Sequence, residues 1–252
     1  MPDIHAKLSA SGAKRWMACP RSVALEEQFP EKDTEYSTEG TEAHSLAEKL
    51  LRKFKETGQR VFTDEELGTT NRDMILAVSD YMDYVYELYD GLALQYKDVA
   101  IYVETIVKFD KYVPEGFGTC DCIIIADQIL HVVDYKHGKG VKVFARENPQ
   151  PRLYGLGALE MFEWQYPIKW IQMHIVQPRI GHADVETLAV ETLKAWGEDE
   201  VKPKAQRAFE NKGDFVPGDH CQFCKAKPVC KARALKSLGV IQNIMTKKEG
   251  GK

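Results

Sequence analysis

Two aspartates and a lysine stand out because apolar residues surround them. The run Gly118-Thr119-Cys120-Asp121-Cys122-Ile123-Ile124-Ile125-Ala126 and its continuation Ile129-Leu130-His131-Val132-Val133-Asp134-Tyr135-Lys136 read as two strands of a hairpin turning at Asp127 and Gln128. With that turn Ala126 pairs with Ile129, Asp121 falls opposite Asp134, and Thr119 falls opposite Lys136. Alternation then puts Asp121, Asp134 and Lys136 on one face, with Cys120, Cys122, Val133 and Tyr135 on the other. Facing Cβ atoms lie about 4.5–5.5 Å apart, where like charges repel. A hard divalent cation, Mg²⁺ or Mn²⁺, shared by the two carboxylates converts that repulsion into coordination. Lys136 would then meet the oxygens of a phosphate drawn to the ion. The alternative is a solvated sheet face with Lys136 paired to one acid, but Ile123, Ile125 and Val132 on the same face favour burial. A bulge at the turn would break the register.

The cysteines form a second chemical set. Six occur, at 19, 120, 122, 221, 224 and 230, and in a chain with no sign of export they suggest metal or catalysis before disulfides. Cys120-x-Cys122 fits a metal pair or, more simply, two small buried residues. Cys221-x2-Cys224-x5-Cys230 offers three soft ligands at loop spacing, whereas a tetrahedral thiolate site needs four. His220 would complete a local zinc knuckle; Cys19 would instead staple the start of the chain to its end.

Composition places these sets in an ordinary globule. The 252 residues are 44% hydrophobic and 29% charged with a net charge of -4, which excludes low-complexity and collagen-like classes and bulk histone-like polyanion binding. The longest apolar run, Cys122 to Ala126, is far short of the roughly 20 residues of a membrane helix. The start, Met1-Pro2-Asp3-Ile4-His5, carries no secretory pattern, so no membrane and a cytoplasmic setting are expected. Charge is uneven. Residues 26–42 hold seven acids and Lys32, most simply a solvated face, whereas residues 225–236 hold five bases and no acid. Residues 136–152 carry Lys136, Lys139, Lys142, Arg146 and Arg152 against Glu147, a local attraction for phosphates.

The elements that must position these residues follow from periodicity. Helices are expected over Ser9 to Glu27 (capped by Ser9 or Ser11 and kinked at Pro20), Thr38 to Lys55, Arg72 to Leu88, Pro149 to Phe162 and Thr192 to Phe209. Ile75, Val78, Met82 and Val85 make a core stripe on the third. Strands are expected over Val99 to Val107, Phe117 to Ala126, Leu130 to Tyr135, Lys169 to Val176 and, briefly, Val185 to Val190. The order is that of an α/β core with a helical lead-in, and it contains no internal repeat.

At this point the sequence resembles the PD-(D/E)XK nuclease superfamily in its RecB-like exonuclease branch. Asp121 matches the first acid and Asp134-Tyr135-Lys136 the D/E-x-K element. Gln150-Pro151-Arg152-Leu153-Tyr154 resembles the branch's Gln-x-x-x-Tyr helix, and Gly40-Thr41-Glu42-Ala43-His44 its Gly-x-x-x-His helix, whose histidine is a metal ligand in the family. The phrase Leu8-Ser9-Ala10-Ser11 with Cys19-Pro20-Arg21, and the terminal cysteine spacing, resemble the iron–sulfur members, AddB-type helicase-nucleases and Cas-four-type nucleases.

The resemblance implies a restriction-endonuclease-like α/β core, a mixed central sheet flanked by helices, with an N-terminal helical segment and a C-terminal cysteine cluster. One nuclease domain would fill 1–252: a lead-in over 1–95 carrying Cys19 and His44, a core over 96–210, an iron–sulfur segment over 211–240 and a tail over 241–252. It implies one or two Mg²⁺ or Mn²⁺ ions held by His44, Asp121, Asp134 and the carbonyl of Tyr135. Glu104 could join them, although pattern does not fix its facing. Lys136, Gln150 and Tyr154 would complete the catalytic set, and Cys19, Cys221, Cys224 and Cys230 would hold a 4Fe-4S cluster that joins the chain ends. The expected activity is metal-dependent exonucleolytic hydrolysis of DNA, single-stranded or end-containing duplex. Its setting would be phage or mobile-element recombination, repair or replication inside a bacterial or phage-infected cell, with a homo-oligomer or a recombination protein as partner. No P-loop motif occurs in these residues, so no attached helicase is expected. A non-catalytic nucleic-acid-binding protein that keeps the fold, and a zinc-stabilised nuclease without iron, stay open as alternatives.

Overall fold

The computed structural model describes residues 6–30 and 35–239. The expected tail over 241–252, the first five residues, and Glu31 and Asp33 of the acidic run lie outside them. Helices precede the sheet: α1 (Ala13–Ala18), α2 (Ser22–Glu26), α3 (Glu35–Thr57), α4 (Asp64–Leu67) and α5 (Arg72–Ala93). Then come β1 (Val99–Lys108), β2 (Phe117–Ala126), β3 (Ile129–Tyr135), α6 (Pro149–Phe162), β4 (Trp170–Gln177), β5 (His182–Ala189), α7 (Val190–Trp196) and α8 (Lys202–Phe209). No helix among the described residues is long and apolar enough to cross a membrane.

The sheet has five strands in the order β1-β2-β3-β4-β5. All neighbours are antiparallel except β3 and β4, which run parallel because α6 carries the chain back across one face. Both faces of the middle strands are covered, and Ile123, Ile124 and Ile125 are all fully buried. That explains why β2 reads as a continuous apolar run rather than an alternating one. On one face, α3 and α5 bring Leu50, Leu51, Val78, Tyr81 and Val85 against Ile124, Ala126 and Val133. On the other, Trp16 of α1 joins Leu153, Leu156 and Leu193 over Ile123, Ile125, Leu130 and Val132. Each aliphatic side chain so buried contributes about 1.5–3 kcal/mol. The result is a mixed α/β layer structure of the restriction-endonuclease-like kind, as the sequence predicts.

Four expectations need correction at element level. The single kinked helix over Ser9 to Glu27 is two short helices, because Cys19 leaves helical geometry (φ -133°) just before Pro20. Ser9 does not cap α1 from the Ncap position, which Gly12 holds, but its Oγ accepts the Gly12 N–H at 3.2 Å. The helix expected over Thr192 to Phe209 is broken by a wide turn over Gly197–Val201, where the Tyr112 ring packs so close that a Cβ on Gly197 would lie 2.7 Å from it. The core stripe of α5 holds at Val78, Met82 and Val85, with Met74 rather than the half-buried Ile75 completing it.

Candidate metal centre

The hairpin register is the expected one from Ala126↔Ile129 through Cys122↔Val133. The β2–β3 ladder stops there, one pair short of Asp121 and Asp134. On the other side, β1 and β2 pair from Val99↔Ala126 to Lys108↔Phe117 with a single omission, Glu104 opposite Asp121. Glu104 has φ +45°, a left-handed conformation that a non-glycine residue adopts at a cost. The facing of both strands inverts at this point. Ile101 and Val103 pack toward α3 and α5 but Val107 toward α6; Cys122 and Ile124 pack toward α3 and α5 but Cys120 toward α6. The expectation that Cys120 and Cys122 share a face is therefore wrong: each is a small buried residue in a different layer, with its thiol pushed up by burial.

The inversion turns Asp121 toward α3. Its Oδ1 lies 3.2 Å from His44 Nδ1, and its Oδ2 accepts the Tyr135 N–H at 2.7 Å, replacing a ladder bond that strict pairing would have made. His44, Glu104 and Asp121 each offer a ligand atom, and these lie within 4.8 Å of one another. Burial opposes charge on His44, but the Asp121 charge and hydrogen bond outweigh it and raise its pKa. Burial and the Asp121 charge push the Glu104 carboxyl up to about 7.

Asp134 leaves the same end of the sheet toward α6, so the two aspartates are not the shared-face pair that alternation predicts. They still feel each other: burial first, and the Asp121 charge among the further causes, raise the Asp134 pKa against the pull of Lys136. Lys136 Nζ is 2.7 Å from Asp134 Oδ2 but off the hydrogen-bonding direction, which leaves this buried oxygen without an aligned donor. Gln150 spans the group, accepting from Lys136 Nζ at 3.0 Å and donating to Asp134 Oδ1 at 3.4 Å. Its amide also lies 3.4 Å from Tyr154 Oη, one turn along α6. Tyr154 reaches this position because residue 118 is glycine; a Cβ there would sit 2.7 Å from the ring.

Hard-ion chemistry fits this donor set. It holds an imidazole and three carboxylates, one of which, Asp134, keeps a buried oxygen with no aligned donor, all at the opened end of the sheet. Behind it lies support that the sequence did not suggest. The His44 ring packs on Tyr135 at 5.1 Å between centroids, and Tyr135 Oη bonds His137 Nδ1 at 2.8 Å. His137 in turn meets Glu39 and Arg179, which pair with each other at 3.0 Å. Glu39 is thus an anchor of α3 rather than part of a solvated face, and the same holds for Glu26, buried against Arg15 at 2.6 Å. Arg152 departs from expectation as well: it is spent in a two-pronged pair with Glu186 (2.7 and 2.6 Å) and does not face phosphates.

Residues 5–249 match the family model described as "Protein of unknown function (DUF2800)". The chain belongs to the DUF2800 family. Among solved structures, the DUF2800 chain is similar to a "Putative exonuclease" from Eubacterium rectale at 13% identity, covering 89% of each chain with a TM-score of 0.43. It is also similar to the protein SSO0001 at 14% identity, covering 85% of this chain and 95% of that one with a TM-score of 0.36.

Four cysteines of the DUF2800 chain lie around one cavity, apart from Cys120 and Cys122 in the sheet. Cys19, Cys221, Cys224 and Cys230, with His220, line one small cavity of about 20 Å³ between α1, α2 and the C-terminal segment. Cys19 Sγ accepts the Val216 N–H at 3.3 Å and Cys221 Sγ the Gly218 N–H at 3.4 Å. Burial raises the Cys19 thiol pKa and lifts that of Cys224 to about 11, so thiolates here call for a cationic group beside them. His220 is turned to the Val216 carbonyl at 2.9 Å.

Proposed function

We propose that this protein is a metal-dependent nuclease that hydrolyses phosphodiester bonds of DNA from an end. The observation that carries the reading is the convergence of His44, Glu104 and Asp121 within 4.8 Å beside Asp134 and Lys136. Three acids crowded at a partly buried sheet end repel one another, and a bound cation would offset that repulsion. His44, Asp121, Asp134, Glu104 and the Tyr135 carbonyl would hold Mg²⁺ or Mn²⁺. When bound, such an ion supplies the positive charge that acidifies water and offsets phosphate.

The chain's own groups do the rest. Lys136, steered by Asp134 and Gln150, presents a fixed positive charge to the phosphate oxygens; one well-placed group of this kind is typically worth about 2.7–4 kcal/mol in the transition state. Gln150, itself bonded to Tyr154 one turn along α6, holds that lysine from a helix. The Glu39–Arg179–His137–Tyr135 chain keeps the His44 ring against the strand end. Cys19, Cys221, Cys224 and Cys230 would hold a 4Fe-4S cluster, a reading supported by their shared cavity, and it would tie the C-terminal segment to α1 and α2.

The test is digestion of end-labelled single- and double-stranded DNA by anaerobically purified protein with Mn²⁺. Cleavage by the wild type, with loss of cleavage but retained DNA binding in Lys136→Ala, supports the reading. No cleavage by wild type with any divalent ion contradicts it.

A further inference from the structure

A groove runs from the catalytic helix to the cysteine segment, and its lining differs from the rest of the surface. Lys14 of α1, Lys142, Phe144 and Arg146 of the loop before α6, Gln150 of α6, and Phe223 between two of the cluster cysteines line it, with Glu147 as its acid. The space is about 410 Å³ and open to solvent. Phe144 is 53% exposed and Phe223 66% exposed, a costly display for two aromatic rings unless something covers them. Lys14, Lys142 and Arg146 are exposed and carry no ion pair among the described residues.

The loop is held firmly in this display. Asp184 Oδ2 accepts the Ala145 N–H at 2.7 Å, Glu186 Oε1 accepts the Glu147 N–H at 3.0 Å, and Gln177 Oε1 accepts the Val143 N–H at 3.1 Å. The Phe144 ring is braced edge-on by His182 at 5.3 Å, with Lys142 Nζ 5.3 Å above its face. Strands β4 and β5 therefore spend three polar side chains on fixing an exposed aromatic and its neighbouring bases.

We infer that this groove binds single-stranded DNA, with Phe144 and Phe223 as stacking platforms and Lys14, Lys142 and Arg146 tracking the backbone. Charge complementarity favours a polyanion. Exposed aromatic faces favour unpaired bases, because the bases of a duplex are already stacked and present no free face. The groove ends at Gln150, which touches both Lys136 and Asp134, so a strand lying in it delivers its backbone to the metal centre. The inference rests on the nuclease reading for its substrate class. It adds strand selection, and it explains why the cysteine segment is anchored where it is, since that anchoring holds Phe223 at the groove.

The experiment measures fluorescence anisotropy of a labelled oligothymidylate and of a blunt duplex, in EDTA so that cleavage cannot intervene. Phe144→Ala and Phe223→Ala are each expected to weaken oligothymidylate binding about tenfold. Phe144→Tyr and Phe223→Trp should restore it, and duplex binding should change less than about twofold. Lys142→Ala with Arg146→Ala should flatten the dependence of log K on log salt by about 0.7 per lost charge. Unchanged single-strand affinity in the alanine variants, or equal losses for duplex, would overturn the inference. A second copy of the chain as occupant would instead show as wild-type dimers that the alanine variants dissolve, and that too overturns it. The two readings fail separately: strand binding without Mn²⁺-dependent cleavage sinks the nuclease, and cleavage with variant-insensitive binding sinks the groove.

Discussion

Glu104 and Asp121 stand directly opposite each other at the single position where β1 and β2 do not pair. Each strand inverts its facing there, and both carboxylates are delivered to His44 on α3. The irregularity is what makes the site: regular alternation would have pointed Asp121 at α6, away from the imidazole. A left-handed Glu104 is strain kept at a point of chemistry.

Relief of the repulsion between these two carboxylates should be measurable. With metal removed by EDTA, Glu104→Gln is expected to raise stability by about 1 kcal/mol, because a neutral amide beside Asp121 avoids like-charge repulsion and ion desolvation. Urea unfolding at neutral pH checks the gain. In excess Mn²⁺ the order should reverse, since the wild type gains binding energy that the variant lacks. A variant less stable than wild type in EDTA would contradict the repulsion.

Gln150 positions Lys136 and does not itself need to touch the phosphate. Gln150→Ala should lower kcat about 10–100-fold, in the range of supporting residues around metal sites, with little change in KM. Gln150→Glu should not rescue, because a carboxylate cannot donate to Asp134 and would repel it. Equal kcat for wild type and Gln150→Ala would remove this residue from the machinery.

A buried histidine pair away from the site gives the pH dependence of stability. His131 Nδ1 and His174 Nε2 lie 3.1 Å apart, and Tyr84 Oη is 2.8 Å from His174 Nδ1. Burial depresses His131 to about 4 and His174 to about 3. Between the unfolded value of about 6.5 and these folded values, the unfolded chain binds more protons, so stability falls as pH falls. The loss for His131 is on the order of 3 kcal/mol by pH 4. Urea midpoints across pH 7 to 4 should fall more steeply for wild type than for His131→Phe; parallel curves would contradict the assignment.

The cysteine cavity is tested by colour and metal content. Cys221→Ala should give colourless, less stable protein, whereas anaerobically purified wild type should be brown and contain iron and sulfide. Wild-type protein holding one zinc and no iron would replace the cluster with the simpler site.

Much of this was legible in the chain. The turn at Asp127 and Gln128 fixed the hairpin register, because the length of a two-residue turn sets which residues pair. Gln150 and Tyr154 met as one-turn neighbours must. The inversion at Glu104 was not legible, since a left-handed residue other than glycine leaves no mark in a strand pattern. Glu26 and Glu39 looked like solvent charges because their partners, Arg15 and Arg179, come from other elements and, for Arg179, from far along the sequence. Arg152 looked free for the same reason: Glu186 is on an edge strand 34 residues away.

The central claim is that Asp121, turned toward His44, helps hold a catalytic divalent ion. Its most direct measurement is Mn²⁺ titration followed by electron paramagnetic resonance, comparing wild type with Asp121→Asn and with His44→Ala. The account predicts tight binding by wild type and affinity at least about tenfold weaker in both variants. Identical Mn²⁺ affinity in all three proteins would contradict it.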